Sequence, residues 1–266
     1  MLGAIIGDVI GSPYEFQSGK TKDFPLFIPE CRPTDDSVLT IAVGCACAEA
    51  DCSNEYEFKR VLSERLREIG LQYPDAGYGR RFYQWMILGE DRPYGGNTNG
   101  SAMRVSPTAW AMDTLAEVER LACWSAEITH NDPEGIRGAQ AVAASVFLAR
   151  TGHSKKDIKA YVEEKYYDLN FTVENIRAGY KYDMTCDGSV PQAIVCFLDS
   201  DGFEDAIRNA VSLGGDGDTQ ACIAGAIAEA FYGIPDDLAE AVWDYIDEGL
   251  REYYWQYAEQ LYSDNI

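Results

Sequence analysis

An all-α fold, with apolar central helices wrapped by amphipathic ones, is what the sequence predicts, and three observations predict it. Apolar residues recur at helical spacing along most of the chain. Capping and stop residues bracket those runs. Period-2 alternation of β-branched residues is nearly absent, so strands find little support. At 266 residues the length permits one large domain or two small ones. No repeat, low-complexity run or Gly/Ser linker divides the chain, so one domain over residues 1–266 is expected.

The elements follow in order. "MLGAIIGDVIGS" is apolar but has no basic leader and is interrupted by Asp8, so it fits neither a signal peptide nor a membrane span. It is taken as mature sequence. Gly3, Gly7 and Gly11 fall on one stripe of this first helix, where each glycine costs roughly 1 kcal/mol against alanine. Close approach of another backbone would make that tolerable. "TDDSVLT" opens the next helix, with Thr34 placed to cap it and Asp35 and Asp36 in its first turn. "NEYEFKRVLSERLREIG" carries Phe58, Val61, Leu62, Leu66 and Ile69 between Asn54 and a stop at Gly70. "TLAEVERLACWSAEI" begins with a Thr114/Glu117 capping box. "DPEGIRGAQAVAASVFLARTG" has Asp132 as N-cap, Pro133 at its first position and Gly152 past its end. Its stretch Ala139–Leu148 is apolar nearly all round, which predicts a central helix. "SKKDIKAYVEEKYY" and "DDLAEAVWDYI" are amphipathic surface helices, and "EYYWQY" near the C-terminus is aromatic packing at helical spacing. Long loops are expected only at Gln17–Pro33 and Asp91–Asn99.

Charge and cysteines narrow the function. With 22 basic and 44 acidic residues the net charge is −22, which opposes a basic face for nucleic acid or anionic membrane. A polyanionic ligand would need cations or helix N-termini to neutralise it locally. The eight cysteines show no disulfide-framework spacing, and Cys45-Ala46-Cys47 has no second pair to complete a zinc site. Reduced cytoplasmic thiols are the expectation.

A second acidic cluster stands in "GGDGDTQACIAGAIAEAFYG", where Asp216, Asp218 and Thr219 precede a helix of small apolar residues. One N-cap needs one side chain, so two carboxylates flanking Gly217 exceed what capping requires. If the clusters meet, Thr34, Asp35, Asp36, Asp216, Asp218 and Thr219 make an oxygen-only site suited to Mg²⁺ or Mn²⁺. If they do not, each is an independent cap. Spacing alone leaves both readings open.

"GAIIGDVIGSPYEF", "TDDSVLT", "NGSAMRVSP", "ITHNDPEG" and "GGDGDTQACIAGAIAEAFYGIP", in this order over nearly the whole chain, resemble the ADP-ribosylglycohydrolases. The resemblance implies an all-α, single-domain orthogonal bundle with two divalent cations, Mg²⁺ or Mn²⁺. It implies cleavage of the N- or O-glycosidic bond joining ADP-ribose to an acceptor. The implied partners are an ADP-ribosylated protein or other acceptor and the ADP-ribose product, with the chain acting as a monomer. Carried over by position, Thr34, Asp35, Asp36, Asp216, Asp218 and Thr219 would hold the metals, and Glu15 or Asp36 would act as general acid or base. Asn99, Gly100, Ser101 and Met103 fall in the segment that cradles the diphosphate and distal ribose, and His130 and Asn131 in a ligand-contacting motif.

Taken by themselves, several of these residues have plainer roles. Glu15 could be a solvated loop acid, Asn99 an N-cap exposing anion-binding amides, Arg104 a salt-bridge partner, and His130 a helix C-terminal residue meeting the dipole. Three positions depart from the family pattern: Ser37 for threonine, Gly217 for a larger residue, and Glu229 where a small residue is usual. A catalytically silent ADP-ribose-binding relative and a hydrolase of a small acyl-ADP-ribose metabolite remain as alternatives.

Overall fold

The computed structural model describes residues 1–16, 19–89 and 92–263. In chain order the helices are α1 (Leu2–Gly11), α2 (Asp35–Glu49), α3 (Glu55–Gln72), α4 (Arg80–Leu88) and α5 (Gly100–Met103). There follow α6 (Leu115–Glu127), α7 (Pro133–Arg150), α8 (Lys155–Lys165), α9 (Val173–Arg177) and α10 (Cys186–Leu198). The last four are α11 (Phe203–Leu213), α12 (Gly217–Tyr232), α13 (Asp236–Ala241) and α14 (Glu248–Ser263). No strand occurs among the described residues, and a lone bridge pairs Thr98 with Thr185. The all-α class is therefore as the sequence predicts.

Local chemistry sets most helix starts. The side chains of Thr34, Asn54, Thr114, Asp132, Ser154, Thr172 and Thr185 each accept a backbone N–H in the first turn. Each such cap contributes about 1 kcal/mol. The buried apolar side chains form one continuous core, with α1, α2, α7, α10 and α12 lying across it. The long loop after Tyr14 is held through one cation of its own and one that reaches its carbonyls. Lys20 Nζ donates to Tyr180 O at 2.7 Å, and Arg208 Nη1 donates to Lys22 O and Phe24 O, both at 2.8 Å.

The glycine stripe of α1 meets α12 backbone to backbone. A Cβ on Gly7 would stand 2.0 Å from Ala221 O, one on Gly3 2.4 Å from Gly225 O, and one on Gly11 2.5 Å from Asp218 Cα. The contact brings the end of α1 against the start of α12. Glu229 explains itself here: its Oε2 accepts from the Met1 amino group at 2.6 Å and from Gly3 N at 2.8 Å. It thus satisfies helix N-terminal donors that α1 itself cannot cap.

Some boundaries differ from expectation. Gly70 does not stop α3, which runs on to Gln72. Instead it makes room for Met86 of α4, whose Sδ would lie 2.6 Å from a Cβ there. The "DDLAEAVWDYI" segment is α-helical only over α13 and then tightens to a 3₁₀ turn at Val242–Asp244. Helices α4, α10 and α11 were not read from the sequence. Pro191 inside α10 masks that one. The expected loops hold, apart from residues 17, 18 and 91, which lie outside the described residues.

Gly7→Ala tests the backbone contact. The methyl gains roughly 1 kcal/mol of helix propensity but forces α1 from α12, and overpacking of that kind costs about 1–3 kcal/mol or more. Urea unfolding is expected to show a net loss. Gly19→Ala, at an exposed loop position with nothing within 4 Å of its Cβ, is expected to stay within a few tenths of a kcal/mol of the parent. Equal stability of the two variants would mean that α1 and α12 are not locked together.

Candidate active site and metal centre

Asp8 is the first side chain of the site, and the sequence reading passed over it as a mere interruption. It is fully buried near the end of α1. Its Oδ1 accepts from Thr34 Oγ1 at 2.6 Å, and its Oδ2 accepts from Thr34 N at 2.9 Å, Ser37 N at 3.0 Å and the Ser37 hydroxyl. One carboxylate thereby pins the N-terminus of α2 and takes the Thr34 hydroxyl hydrogen, leaving that oxygen one lone pair besides the one that caps Asp36 N. Ser37 in place of threonine keeps the hydroxyl this requires.

The two acidic clusters meet. Thr219 Oγ1 donates to Asp36 Oδ2 at 3.1 Å, joining α12 to α2 across 183 residues of sequence. Asp216 sits at the N-cap position of α12 but makes no capping bond; its Oδ2 accepts from Asn99 Nδ2 at 2.6 Å. The reading of two independent caps is thus set aside. Thr34, Asp35, Asp36, Asp216, Asp218 and Thr219 all line one cavity of about 410 Å³, together with Glu15. Gly217 lies between the aspartates with space to spare, since a Cβ there would meet only Tyr14 O at 3.8 Å.

Burial and mutual repulsion raise these carboxyls. Desolvation, then the charges of Asp8 and Asp216, push Asp35 up to about 8. Desolvation, then Asp216 and Asp8, push Glu15 up to about 7, against the pull of Arg32. Asp36 and Asp218 are driven well up by the same causes, burial first. Such a cluster calls for a cation. Among the described residues, Asp8, Asp36 and Asp218 offer oxygens within 4.8 Å of one another, and so do Glu15, Asp216 and Asp218. Asp36 Oδ1 is buried without a partner. An all-oxygen set with an orphaned lone pair fits a hard divalent cation and does not fit zinc.

Another part of the cavity wall is glycine-rich. Gly96, Asn97, Thr98, Asn99, Gly100, Met103 and His130 line it, with Tyr94, Arg81 and Arg104. Gly96 and Gly100 leave room for the imidazole: a Cβ on Gly96 would lie 2.5 Å from His130 Cδ2, and one on Gly100 3.2 Å from Nε2. Helix α5 is a single turn, so its dipole is short, and Asn99 at its start makes no side-chain cap. Asn99 Nδ2 serves Asp216 and Ser189 Oγ instead. Neither Ser101 nor Asn131 lines the cavity: Ser101 is buried, its hydroxyl donating to Gly135 O, and Asn131 is exposed, its Oδ1 accepting from Gly95 N.

His130 and Arg104 differ from their plainer readings. Burial, then the charges of Arg104 and Arg81, drive the imidazole well below its usual value, so it is neutral and cannot serve as a cation on a helix dipole. Arg104 is fully buried and makes no ion pair among the described residues; Nη2 donates to Ser125 O and Thr129 Oγ1. The carboxylate side of the mouth is rimmed by Tyr182 and Met184. Phe16, at φ 61°, packs against Tyr182 with the rings tilted by 34° and their centroids 5.0 Å apart, and is tied by its N–H to Gly215 O. Nothing in the local sequence marked these rim residues, because they come from loops.

The family model for ADP-ribosylglycohydrolase matches residues 1–265. The chain belongs to the ADP-ribosylglycohydrolase family. Human ADP-ribosylhydrolase ARH3 is 24% identical, over 95% of this chain and 89% of its own length. The ADP-ribosyl-[dinitrogen reductase] glycohydrolase of Rhodospirillum rubrum is 28% identical, over 88% and 85%. A solved structure titled as an ADP-ribosylglycohydrolase-related protein complex shares the fold, with a TM-score of 0.66 at 22% identity over 100% of this chain and 97% of that one. Family and relatives support ADP-ribosyl hydrolase activity for this chain.

The raised carboxyls of this chain give a signed pH dependence. A carboxyl whose folded pKa exceeds its unfolded value holds a proton that the unfolded chain has lost, so stability falls as pH rises. In chelator, the melting temperature is expected to drop between pH ~4, the unfolded value, and pH ~8. Asp35, pushed up to about 8, is half-titrated at the upper end of that window. Millimolar Mg²⁺ or Mn²⁺ should remove that slope, because binding favours the ionised forms. A cation at a hundredfold excess over Kd would add about 2.7 kcal/mol. Asp218→Asn should flatten the slope in chelator and shrink the metal-induced shift. Unchanged behaviour in that variant would detach Asp218 from the cluster.

Proposed function

We propose that the chain is a divalent-metal-dependent hydrolase that cleaves the glycosidic bond between ADP-ribose and a modified acceptor, reversing ADP-ribosylation. The observation that carries this reading is the meeting of the clusters at Thr219 and Asp36, with Asp36 Oδ1 buried and unpartnered beside Asp218. Thr34, Asp35, Asp36, Asp216, Asp218 and Thr219 would hold two cations, Mg²⁺ or Mn²⁺. When bound, such ions supply neutralising charge, bind sugar hydroxyls and acidify water. That local charge is how a protein of net charge −22 would accept a diphosphate.

This chain's own residues do the rest. The glycine-rich wall from Gly96 to Gly100, with Met103 and His130, would receive the ADP portion and hold the anomeric carbon at the carboxylates. Cleavage breaks the bond from that carbon to the acceptor nitrogen or oxygen, and a water oxygen takes its place. One proton must leave the water and one must reach the acceptor. Glu15 is the better placed of the two candidate carboxylates for this work. It is half-buried at the cavity mouth, whereas Asp36 is buried with one oxygen already engaged by Thr219. The intact ligand set favours an enzyme over a silent binding relative. The free thiols fit the reducing cytoplasm expected for it.

The test is a panel of ADP-ribosylated arginine and serine peptides, ADP-ribosylated nucleic acid and acyl-ADP-ribose, assayed with Mg²⁺ or Mn²⁺. ADP-ribose release from at least one protein-type substrate is expected, abolished by EDTA and restored by metal. Glu15→Gln should lower kcat by about 10²-fold or more while ADP-ribose affinity stays within a few-fold. Full turnover in EDTA would remove the metal from the mechanism, and an unchanged kcat in Glu15→Gln would transfer the proton-transfer role to Asp36.

A further inference from the structure

The buried chain Arg104–Thr129–His130–Thr98 carries an inference about hydrogen positions that decides what the cavity wall can recognise. Arg104 Nη2 donates to Thr129 Oγ1 at 2.8 Å. Thr129 Oγ1 lies 2.8 Å from His130 Nδ1, and Thr98 Oγ1 lies 3.1 Å from His130 Nε2. The imidazole is wedged between Gly96 and Gly100 and only 2% exposed, so the ring orientation is fixed and solvent cannot rearrange its partners.

We infer that Arg104, acting through Thr129, fixes His130 as the Nε2–H tautomer, and that this leaves the Thr98 hydroxyl as a dedicated hydrogen-bond donor to an anionic oxygen of the ligand. A guanidinium has donors only, so Thr129 Oγ1 must accept from it. The Thr129 hydrogen is then best used on Nδ1, the nearest acceptor. The alternative would aim an Nδ1–H at an oxygen already bound to a cation, with the Thr129 hydroxyl turned to Tyr94, which is also within its reach. The field of the guanidinium opposes that dipole and favours a lone pair on its side of the ring. Nε2 therefore carries the hydrogen and gives it to Thr98 Oγ1, with Tyr94 OH at 3.5 Å a poorer partner. An oxygen that accepts from His130 keeps its own hydrogen for something else. Thr98 is half-buried on the cavity wall, and no other side-chain bond of its hydroxyl occurs among the described residues.

The ligand class follows from the chemistry: Thr98 offers a hydrogen, and Arg104 beneath the wall keeps Nε and Nη1 without hydrogen-bond partners among the described residues, so the local potential is positive. A phosphoryl oxygen suits both. This part rests on the proposed ADP-ribose reading; the tautomer does not. Arg104 and Thr129 are positioning residues, and Thr98 is the group that touches ligand.

The experiment is ¹⁵N-resolved NMR of the histidine rings in the full, ligand-free chain. His130 and His153 are the two histidines, and His153→Gln assigns them. A bare Nδ1 and a protonated Nε2 for His130, unchanged from pH 5 to pH 8, are expected. A protonated Nδ1, or a mixture of tautomers, overturns the inference. Thr129→Val should lose the single-tautomer signature and Thr129→Ser should restore it; a signature unaltered in Thr129→Val overturns the relay. Thr98→Val should weaken ADP-ribose binding about tenfold or more with the His130 tautomer retained, and Thr98→Ser should recover it. Parent-like affinity in Thr98→Val overturns the donor assignment. Failure of the parent to bind ADP-ribose would instead count against the proposed function, since the ligand-free tautomer is read without it.

Discussion

The site depends on carboxylates being forced together inside a chain that is already strongly acidic. Asp8, Asp35, Asp36, Asp216 and Asp218 would spread apart in solution, and what holds them is backbone contact. Glycine-to-backbone packing of α1 on α12 fixes the start of α12 beside Asp8, and Asp8 in turn clamps the start of α2 through Thr34 and Ser37. Packing energy spread along two helices thus supports a local electrostatic cost that protons or a cation relieve. The raised carboxyl pKa values are the signature of that unrelieved state.

Cations are scarce in this protein, and their use is selective. Lys20 and Arg208 hold loop carbonyls near the carboxylate side of the fold. Arg104 is buried beneath the glycine-rich wall, bonded to Ser125 and Thr129 without any carboxylate partner among the described residues. On the proposed reading, the wall above Arg104 would take the phosphates and the acidic cluster, with its cations, the sugar. This arrangement answers how so acidic a chain could bind an anionic nucleotide.

Much of this was legible in the sequence. The second cluster, Asp216 and Asp218, stood out because it held more carboxylates than a cap can use, while Asp35 and Asp36 alone read as ordinary capping; five motifs in order pointed to the family. The glycine stripe announced a close backbone contact but not its partner. Asp8 was missed because one acid in an apolar run looks like an interruption; only its four donors from α2 reveal a clamp. Gly70 misled because a glycine near the end of a periodic run resembles a stop, and the side chain that needs the space belongs to α4. His130 and Arg104 could not be resolved locally, since their state is set by burial and by partners on other elements. Rim residues Phe16, Tyr182 and Met184 lie on loops, where periodicity carries no information.

The central claim, that the two aspartate clusters form one dinuclear cation site, is tested most directly by electron paramagnetic resonance of Mn²⁺ titrated into the metal-free protein. The account predicts that about two Mn²⁺ per chain leave the free-ion signal, and that the bound pair shows spin coupling, as expected for ions ~3.5–4 Å apart. Bound Mn²⁺ that stays magnetically isolated at saturation, or no binding at millimolar Mn²⁺, would contradict it.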